Sequence, residues 1–230
     1  MLGIIGAMEV ETVTLCGMLE NAQTKVISGI KFTEGILYNK PVVVSQCNEG
    51  KVNSAIAAQT MILIYKADKI INTGVGGGLL PEMNVCDIAV AQSVVQHDFD
   101  LTPLGYEPGY ITNVGNVYIP CNSNMCDSLY TYAAQIENTK AFKGVIVSGD
   151  QFINSSTKQK QLQNDFNAIC TEMEGASIGQ VCYLNNVDFC VLRAISDKAD
   201  DDSNMDFKEF VEKACEKTVS ILTSYIKNVV

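Results

Sequence analysis

An α/β domain is the fold class that this sequence predicts, on three observations. Short apolar runs of strand length alternate with longer segments of helical period. Gly, Asn or Pro punctuates many of the boundaries between them. The 230 residues, 47% hydrophobic and 18% charged, are enough to bury one sizeable core. No linker, repeat or low-complexity stretch divides the chain, so residues 1–230 read as one domain.

The elements follow in order. Residues 2–5, Leu-Gly-Ile-Ile, form a short apolar run stopped at Gly6, which predicts a buried strand. Residues 9–20 continue as a helix, with Val10, Val13 and Leu19 among its apolar positions. Residues 25–47 read as a β meander, broken at Gly35 and again at residues 39–41. Residues 51–66 are a helix rich in Ala and Ile on its inward side. The strand at residues 69–72 runs at once into Gly74-Val75-Gly76-Gly77-Gly78, where glycine's freedom predicts a tight turn that a ligand can approach closely. Residues 87–91 and 94–101 continue the sheet, residues 125–135 are helical, and residues 144–147 are a strand. Residues 174–184 form a helix, residues 188–195 a strand, and residues 206–226 a closing helix. Asp206 is its expected N-cap, with Glu209 three residues on in capping-box spacing.

A net charge of −10 argues against a broad basic surface for nucleic acid or an anionic membrane. It leaves room for an acidic pocket with an uncharged or cationic ligand. No apolar run approaches the length of a membrane span. The apolar stretch from Met1 to Met8 is short, lacks a basic start and runs into Glu9 and Glu11, unlike a signal peptide. Nine cysteines lie scattered without a C-x-x-C pair, and His97 is the only histidine, so no zinc site and no other metal is expected. Free thiols in a reducing cytoplasm are the expected state.

Arg193 is the only arginine and ends an apolar run. Burying an ionised group costs about several kcal/mol unless it is paired, and Glu174, Asp197 and Glu11 are the expected partners. Four polar sites each follow the carboxyl end of a predicted strand: Glu11, the glycine run after Asn72, Asp150 with Phe152, and Asp197. Ligands of open α/β sheets bind beyond those ends. Each residue also has a plainer reading. Glu172 and Glu174 suit the positive end of a helix dipole, Asp197 suits a turn or cap, Phe152 suits a core, and residues 200–202 suit a solvated acidic loop. Strand alternation puts Asp98 and Asp100 on the face opposite His97, which makes no metal cage. The glycine run departs from G-x-G-x-x-G and has no acidic residue about twenty positions on, unlike a dinucleotide loop.

Several strings recur together: Gly3-Ile-Ile-Gly-Ala-Met-Glu-Val-Glu11, Gly50-Lys-Val, Asn72-Thr-Gly74 with Gly77, Gln96-His-Asp-Phe-Asp, Ser148-Gly-Asp-Gln-Phe-Ile153, Glu172-Met-Glu-Gly175 and Arg193-Ala-Ile-Ser-Asp197. In this order, nearly end to end, they resemble the 5′-methylthioadenosine/S-adenosylhomocysteine nucleosidases within the nucleoside phosphorylase fold. The resemblance implies a three-layer α/β/α fold with a central mixed twisted sheet. It also implies a homodimer and cofactor-free hydrolysis of the N-glycosidic bond of a small-molecule adenine nucleoside. By the same resemblance Glu11 is the base that activates water, and Met173 and Glu174 hold the ribose. Asp197, steadied by Ser196, is the acid that protonates adenine N7. Phe152 stacks on the base, the Ile153 backbone reads its edge, and Arg193 helps order the water and Glu11. Ala7, Gly77, Glu172 and Phe207 belong to the same substrate pocket, and Leu104 resembles a rim position contributed across the dimer.

Physical chemistry fits these roles. Breaking the bond builds positive charge on the sugar and negative charge on the base; a carboxylate stabilises the first and a protonated acid relieves the second. Asp197 must therefore hold a proton near neutral pH, and burial is expected to raise its pKa. Water and leaving base on opposite faces predict inversion at the sugar carbon. Two positions depart from the family pattern. Glu49 stands where many relatives carry an apolar residue near the 5′ region, and Val75 where some carry a serine that assists the water. Phosphorolysis is the close rival, but a phosphate nucleophile calls for cations or a helix N-terminus, and the single arginine is already committed. Aminodeoxyfutalosine is an alternative substrate, and a non-catalytic nucleoside-binding protein an alternative class.

Overall fold

The computed structural model describes residues 1–200 and 203–230, and within 203–209 the side chains of Ser203 and Phe207. In chain order the elements are β1 (Leu2–Gly6), α1 (Glu9–Gly17), β2 (Glu20–Ile27), β3 (Ile30–Leu37), β4 (Lys40–Gln46), α2 (Lys51–Leu63), β5 (Lys69–Gly78) and β6 (Ile88–Gln96). They continue with β7 (Ile119–Pro120), α3 (Ser123–Ala133), β8 (Ala141–Ser148), α4 (Ser156–Phe166), β9 (Ala168–Glu172), α5 (Gly175–Asn185), β10 (Asp188–Asp197) and α6 (Ser203–Asn228).

The strands make one mixed sheet in the order β10-β6-β8-β9-β5-β1-β4-β3-β2, with β7 beside β6. Period-two alternation sends Ile5, Val43, Ile70 and Val191 into one core, and Ile4, Val44, Ile71 and Leu192 into the other. Ala57 and Met61 of α2, with Ile178 and Cys182 of α5, cover the first face. Leu15 of α1, Leu129 of α3, and Ile221 and Leu222 of α6 cover the second. The result is the expected three-layer α/β/α arrangement. On the side of β8, α4 adds Leu162 and Phe166 to a smaller cluster with Val95 and Val147.

The sheet is not open. β10 pairs with β5 as well as β6, so β5, β10, β6, β8 and β9 close into a ring. β1, β4, β5 and β10 run parallel, whereas β6, β8 and β9 run the other way. The four strand ends picked out in the sequence therefore do not share one edge. Instead the carboxyl ends of β5 and β9 pair antiparallel, Gly77 opposite Thr171, while Gly77 also faces Asp197 of β10. That crossing sets the segments after β8 and β9 beside the ends of β1, β5 and β10.

Several expected elements change. The first helix stops at Gly17 rather than residue 20; Leu19 is buried beyond it, and Val13 is 52% exposed. The edge strand β2 that follows is exposed nearly throughout, so it shows no alternation to reveal it. Residues 74–78 do not turn but complete β5. Their glycines serve close packing: a Cβ on Gly76 would lie 2.7 Å from Cys170 Sγ, and one on Gly77 2.8 Å from Ala199 Cβ. The two segments expected at 87–91 and 94–101 are one bulged strand that ends at Gln96. His97 thus lies past the strand, the alternation argument lapses, and Asp98 pairs with Lys51 at 2.7 Å. α4 and β9 have no expected counterpart, since α4 buries only Leu162 and Phe166 and β9 spans five residues. α6 begins at Ser203, which puts Asp206 inside the helix rather than at its cap. The side chains of Asp206 and Glu209, and residues 201 and 202 of the expected acidic loop, lie outside the described residues. Among the described residues no helix is long and apolar enough to cross a membrane.

Candidate active site

A cavity of about 330 Å³ opens where these ends meet, within the usual size of small-ligand sites. Ala7 and Glu11 reach it from the β1–α1 junction, Val75, Gly76 and Gly77 from β5, and Ser196 and Asp197 from β10. Phe152 and Ile153 come from the segment after β8, Glu172, Met173 and Glu174 from the end of β9, and Phe207 from α6. Of the residues expected at the site, Arg193 alone is behind the wall. Met8, Glu49, Gln151 and Thr171 also line it; Met8 and Gln151 lie inside the quoted strings, and Glu49 and Thr171 directly precede two of them.

Glu11 sits at the third position of α1, where its carboxylate folds back onto the helix entrance. One oxygen accepts from Ala7 N–H at 2.6 Å and Met8 N–H at 2.9 Å; the other accepts from Val75 N–H at 3.1 Å. Burial nevertheless pushes Glu11 above the ordinary value of 4.5, against the pull of Arg193 and these three N–H groups. Gly74, at φ +154°, makes room for the arrangement: a Cβ there would collide with both the Glu11 carboxylate and the Arg193 guanidinium.

The Arg193 guanidinium is fully buried. Its Nη2 donates to Asn72 Oδ1 at 2.5 Å, to Glu172 Oε2, and to Glu174 Oε2 at 3.3 Å. Of the three expected partners, Glu174 makes a hydrogen bond and Glu11 interacts through charge alone; Glu172 and Asn72 take the places expected for Asp197 and Glu11. Burial opposes the charge, but Glu172, Glu174 and Glu11 outweigh it and hold Arg193 protonated above its ordinary range. Asn72 is committed on both sides, since its Nδ2 donates to the Ile5 carbonyl at 2.9 Å.

Glu172 is spent on structure. Besides Arg193 it accepts the Ser148 hydroxyl and the N–H groups of Glu174 and Gly175 at the start of α5. The helix-dipole reading and the site reading thus hold together for this residue, but its carboxylate faces Arg193 and α5 rather than standing free for a ligand. Glu174 differs. One oxygen accepts from Gly50 N–H at 2.8 Å and the other shares Arg193. Burial, with Glu172 and Glu11 nearby, pushes its pKa up to about 8.

A stability effect follows from that shift. The unfolded chain ionises Glu174 near 4.5, the folded one only near 8, so stability is lost as pH rises through that window and stays lost above it. Glu174→Gln, which can still accept from Gly50, is expected to raise the melting temperature by about 2–4 °C at pH 9 and hardly at all at pH 4.5. Thermal unfolding at both pH values checks it; an equal or lower melting temperature at pH 9 refutes the assignment.

Asp197 ends β10 with one oxygen accepting Ser196 Oγ at 2.7 Å and the other Ala199 N–H at 2.9 Å. Ser196 Oγ also lies 3.5 Å from the Gly76 carbonyl. Phe152 is 43% exposed and meets Phe207 edge to face at 5.7 Å between ring centres. A flat apolar ligand could add to that aromatic corner. Ile153 is buried against the α4 cluster, leaving its backbone beside the cavity. The wall therefore presents four carboxylates not fully spent on structure, Glu11, Glu49, Glu174 and Asp197, and no Lys or Arg among the described residues.

Comparison with known proteins identifies the family. Residues 1–227 match the model of the phosphorylase superfamily. A 5′-methylthioadenosine/S-adenosylhomocysteine nucleosidase of Shewanella halifaxensis (strain HAW-EB4) is 37% identical over 227 residues, covering 98% of each chain. The crystal structure of the corresponding nucleosidase of Neisseria meningitidis, in complex with methylthio-immucillin-A, superposes with a TM-score of 0.95 at 31% identity, covering 99% of both chains. A futalosine hydrolase of Helicobacter pylori strain 26695 superposes with a TM-score of 0.92 at 34% identity, covering 99% of this chain and 97% of that one. This chain belongs to the phosphorylase superfamily and, within it, to the 5′-methylthioadenosine/S-adenosylhomocysteine nucleosidases.

Proposed function

We propose that this chain hydrolyses the N-glycosidic bond of 5′-methylthioadenosine and S-adenosylhomocysteine, releasing adenine and the thioribose product. The observation that carries the reading is the shared cavity of Glu11, Glu174 and Asp197. In it Glu11 is the base: burial raises its proton affinity, and three N–H groups fix its direction. Glu174 holds the ribose hydroxyls beside Met173. Asp197 delivers a proton to N7 of the departing adenine, oriented by Ser196 and the Ala199 N–H. Phe152 and Phe207 flank the base, the Ile153 backbone reads its edge, and Ala7 and Gly77 shape the wall.

Arg193 and Glu172 act as positioning residues. Arg193 anchors Glu174, and its guanidinium counters the charge of Glu172, Glu174 and Glu11. No cofactor enters this scheme. Water is the nucleophile because a phosphate dianion would enter a wall of carboxylates with no cation among the described residues, and the Asn72 side chain is already committed. A cytoplasmic homodimer in methionine salvage completes the proposal, with the exposed Leu104 at the subunit rim.

The test is release of the free base (adenine, or hypoxanthine from inosine) from methylthioadenosine, adenosylhomocysteine, aminodeoxyfutalosine, adenosine and inosine, each with and without phosphate. The expected result is phosphate-independent cleavage of the two thionucleosides. Strict phosphate dependence, or preference for inosine, overturns it.

A further inference from the structure

Among the described residues, Glu49 is the one charged residue of the cavity wall that neither the chemistry above nor the Arg193 anchor uses. It is exposed, its backbone carbonyl accepts from Asn53 Nδ2 at 2.8 Å, and among the described residues no donor or cation meets its carboxylate. The next residue, Gly50, gives its N–H to Glu174, so Glu49 stands one residue from the group assigned to the ribose. Asp197 and Phe152 mark the base end of the cavity. On the nucleosidase reading Glu49 therefore borders the sugar side of the wall, to which Met8 and Met173 also belong.

We propose that Glu49 makes this a subsite for 5′-alkylthio chains that end in an ammonium group, and turns away chains that end in a carboxylate. The proposal rests on the nucleosidase reading. An aliphatic thioether stem lies against the two methionines while the charged tip meets Glu49, and among the described residues no Lys or Arg of the wall competes for it. The zwitterionic homocysteine arm falls between the two extremes. Glu49 also precedes α2, where an acid complements the helix dipole; that role is indifferent to the substrate.

The experiment measures kcat/KM for three 5′-deoxyadenosines of similar size carrying 3-aminopropylthio, butylthio or 2-carboxyethylthio at the 5′ position. The expected order is ammonium above neutral above carboxylate, each step roughly three- to fivefold at low salt, as for a solvent-exposed ion pair. The order should fade as salt is raised. Glu49→Gln is expected to collapse all three to about the same value. A wild-type protein without charge preference overturns the proposal, as does a preference that survives in Glu49→Gln. If none of the three analogues releases adenine, the nucleosidase reading itself fails, which is a separate outcome.

Discussion

Asp197→Asn is expected to lower turnover of methylthioadenosine by about 10²–10⁴-fold, or roughly 3–5 kcal/mol of barrier, while leaving nucleoside affinity within a small factor. The variant should fold. Its amide oxygen can keep the Ala199 N–H, and its amide nitrogen can donate to Ser196 Oγ, whose own proton turns toward the Gly76 carbonyl. What it lacks is a transferable proton for N7. Single-turnover adenine release, paired with calorimetric binding of a methylthioadenosine analogue, measures both halves. Full retention of turnover removes Asp197 as the acid. A protein with no turnover to lose, and unchanged binding, is a nucleoside sensor instead.

Glu11→Gln is expected to cost a similar factor, about 10²–10⁴-fold in kcat. Here the geometry adds a second expectation. Glu11 accepts three N–H groups with two oxygens, and an amide offers one oxygen, so either Val75 or the Ala7–Met8 pair loses its acceptor. The pH profile separates lost chemistry from lost geometry. A base works deprotonated, so wild-type activity should fall as pH drops through the Glu11 pKa, which lies above 4.5. In Glu11→Gln that acid limb should vanish from the residual rate. Persistence of the same limb means that another group sets it.

The departures from family pattern take on physical content in the structure. Val75 contributes through its backbone N–H to Glu11, which any non-proline residue could supply. Its side chain lies in the core beneath the cavity, so loss of a serine hydroxyl there leaves the carboxylate's own hold intact. Glu49 is different, because it is exposed and lines the cavity.

How much could be read before the fold was known differs from element to element. β1, α2, α5 and β10 were legible because each pairs a clear apolar pattern with a glycine or polar stop. β2 and α4 were not: one is an exposed edge, the other a polar helix with two buried residues, so neither carries a periodic signal. The glycines of β5 misled because a residue without a side chain signals a turn and a close strand crossing equally.

The quoted strings, Gly3–Glu11, Glu172–Gly175 and Arg193–Asp197 above all, determined the inventory of the site: which acids, which arginine, and the family they resemble. Neighbours in the chain stay neighbours in any fold, so short motifs survive being read as text. Only the tertiary structure decided who meets whom. It gave Arg193 to Glu172 and Asn72, Gly50 N–H to Glu174 across 124 positions, and Val75 N–H to Glu11 across 64. It also closed the sheet into a ring. Those contacts depend on strand register and crossing, which the hydrophobic period leaves open because every apolar strand can bury its face against many others.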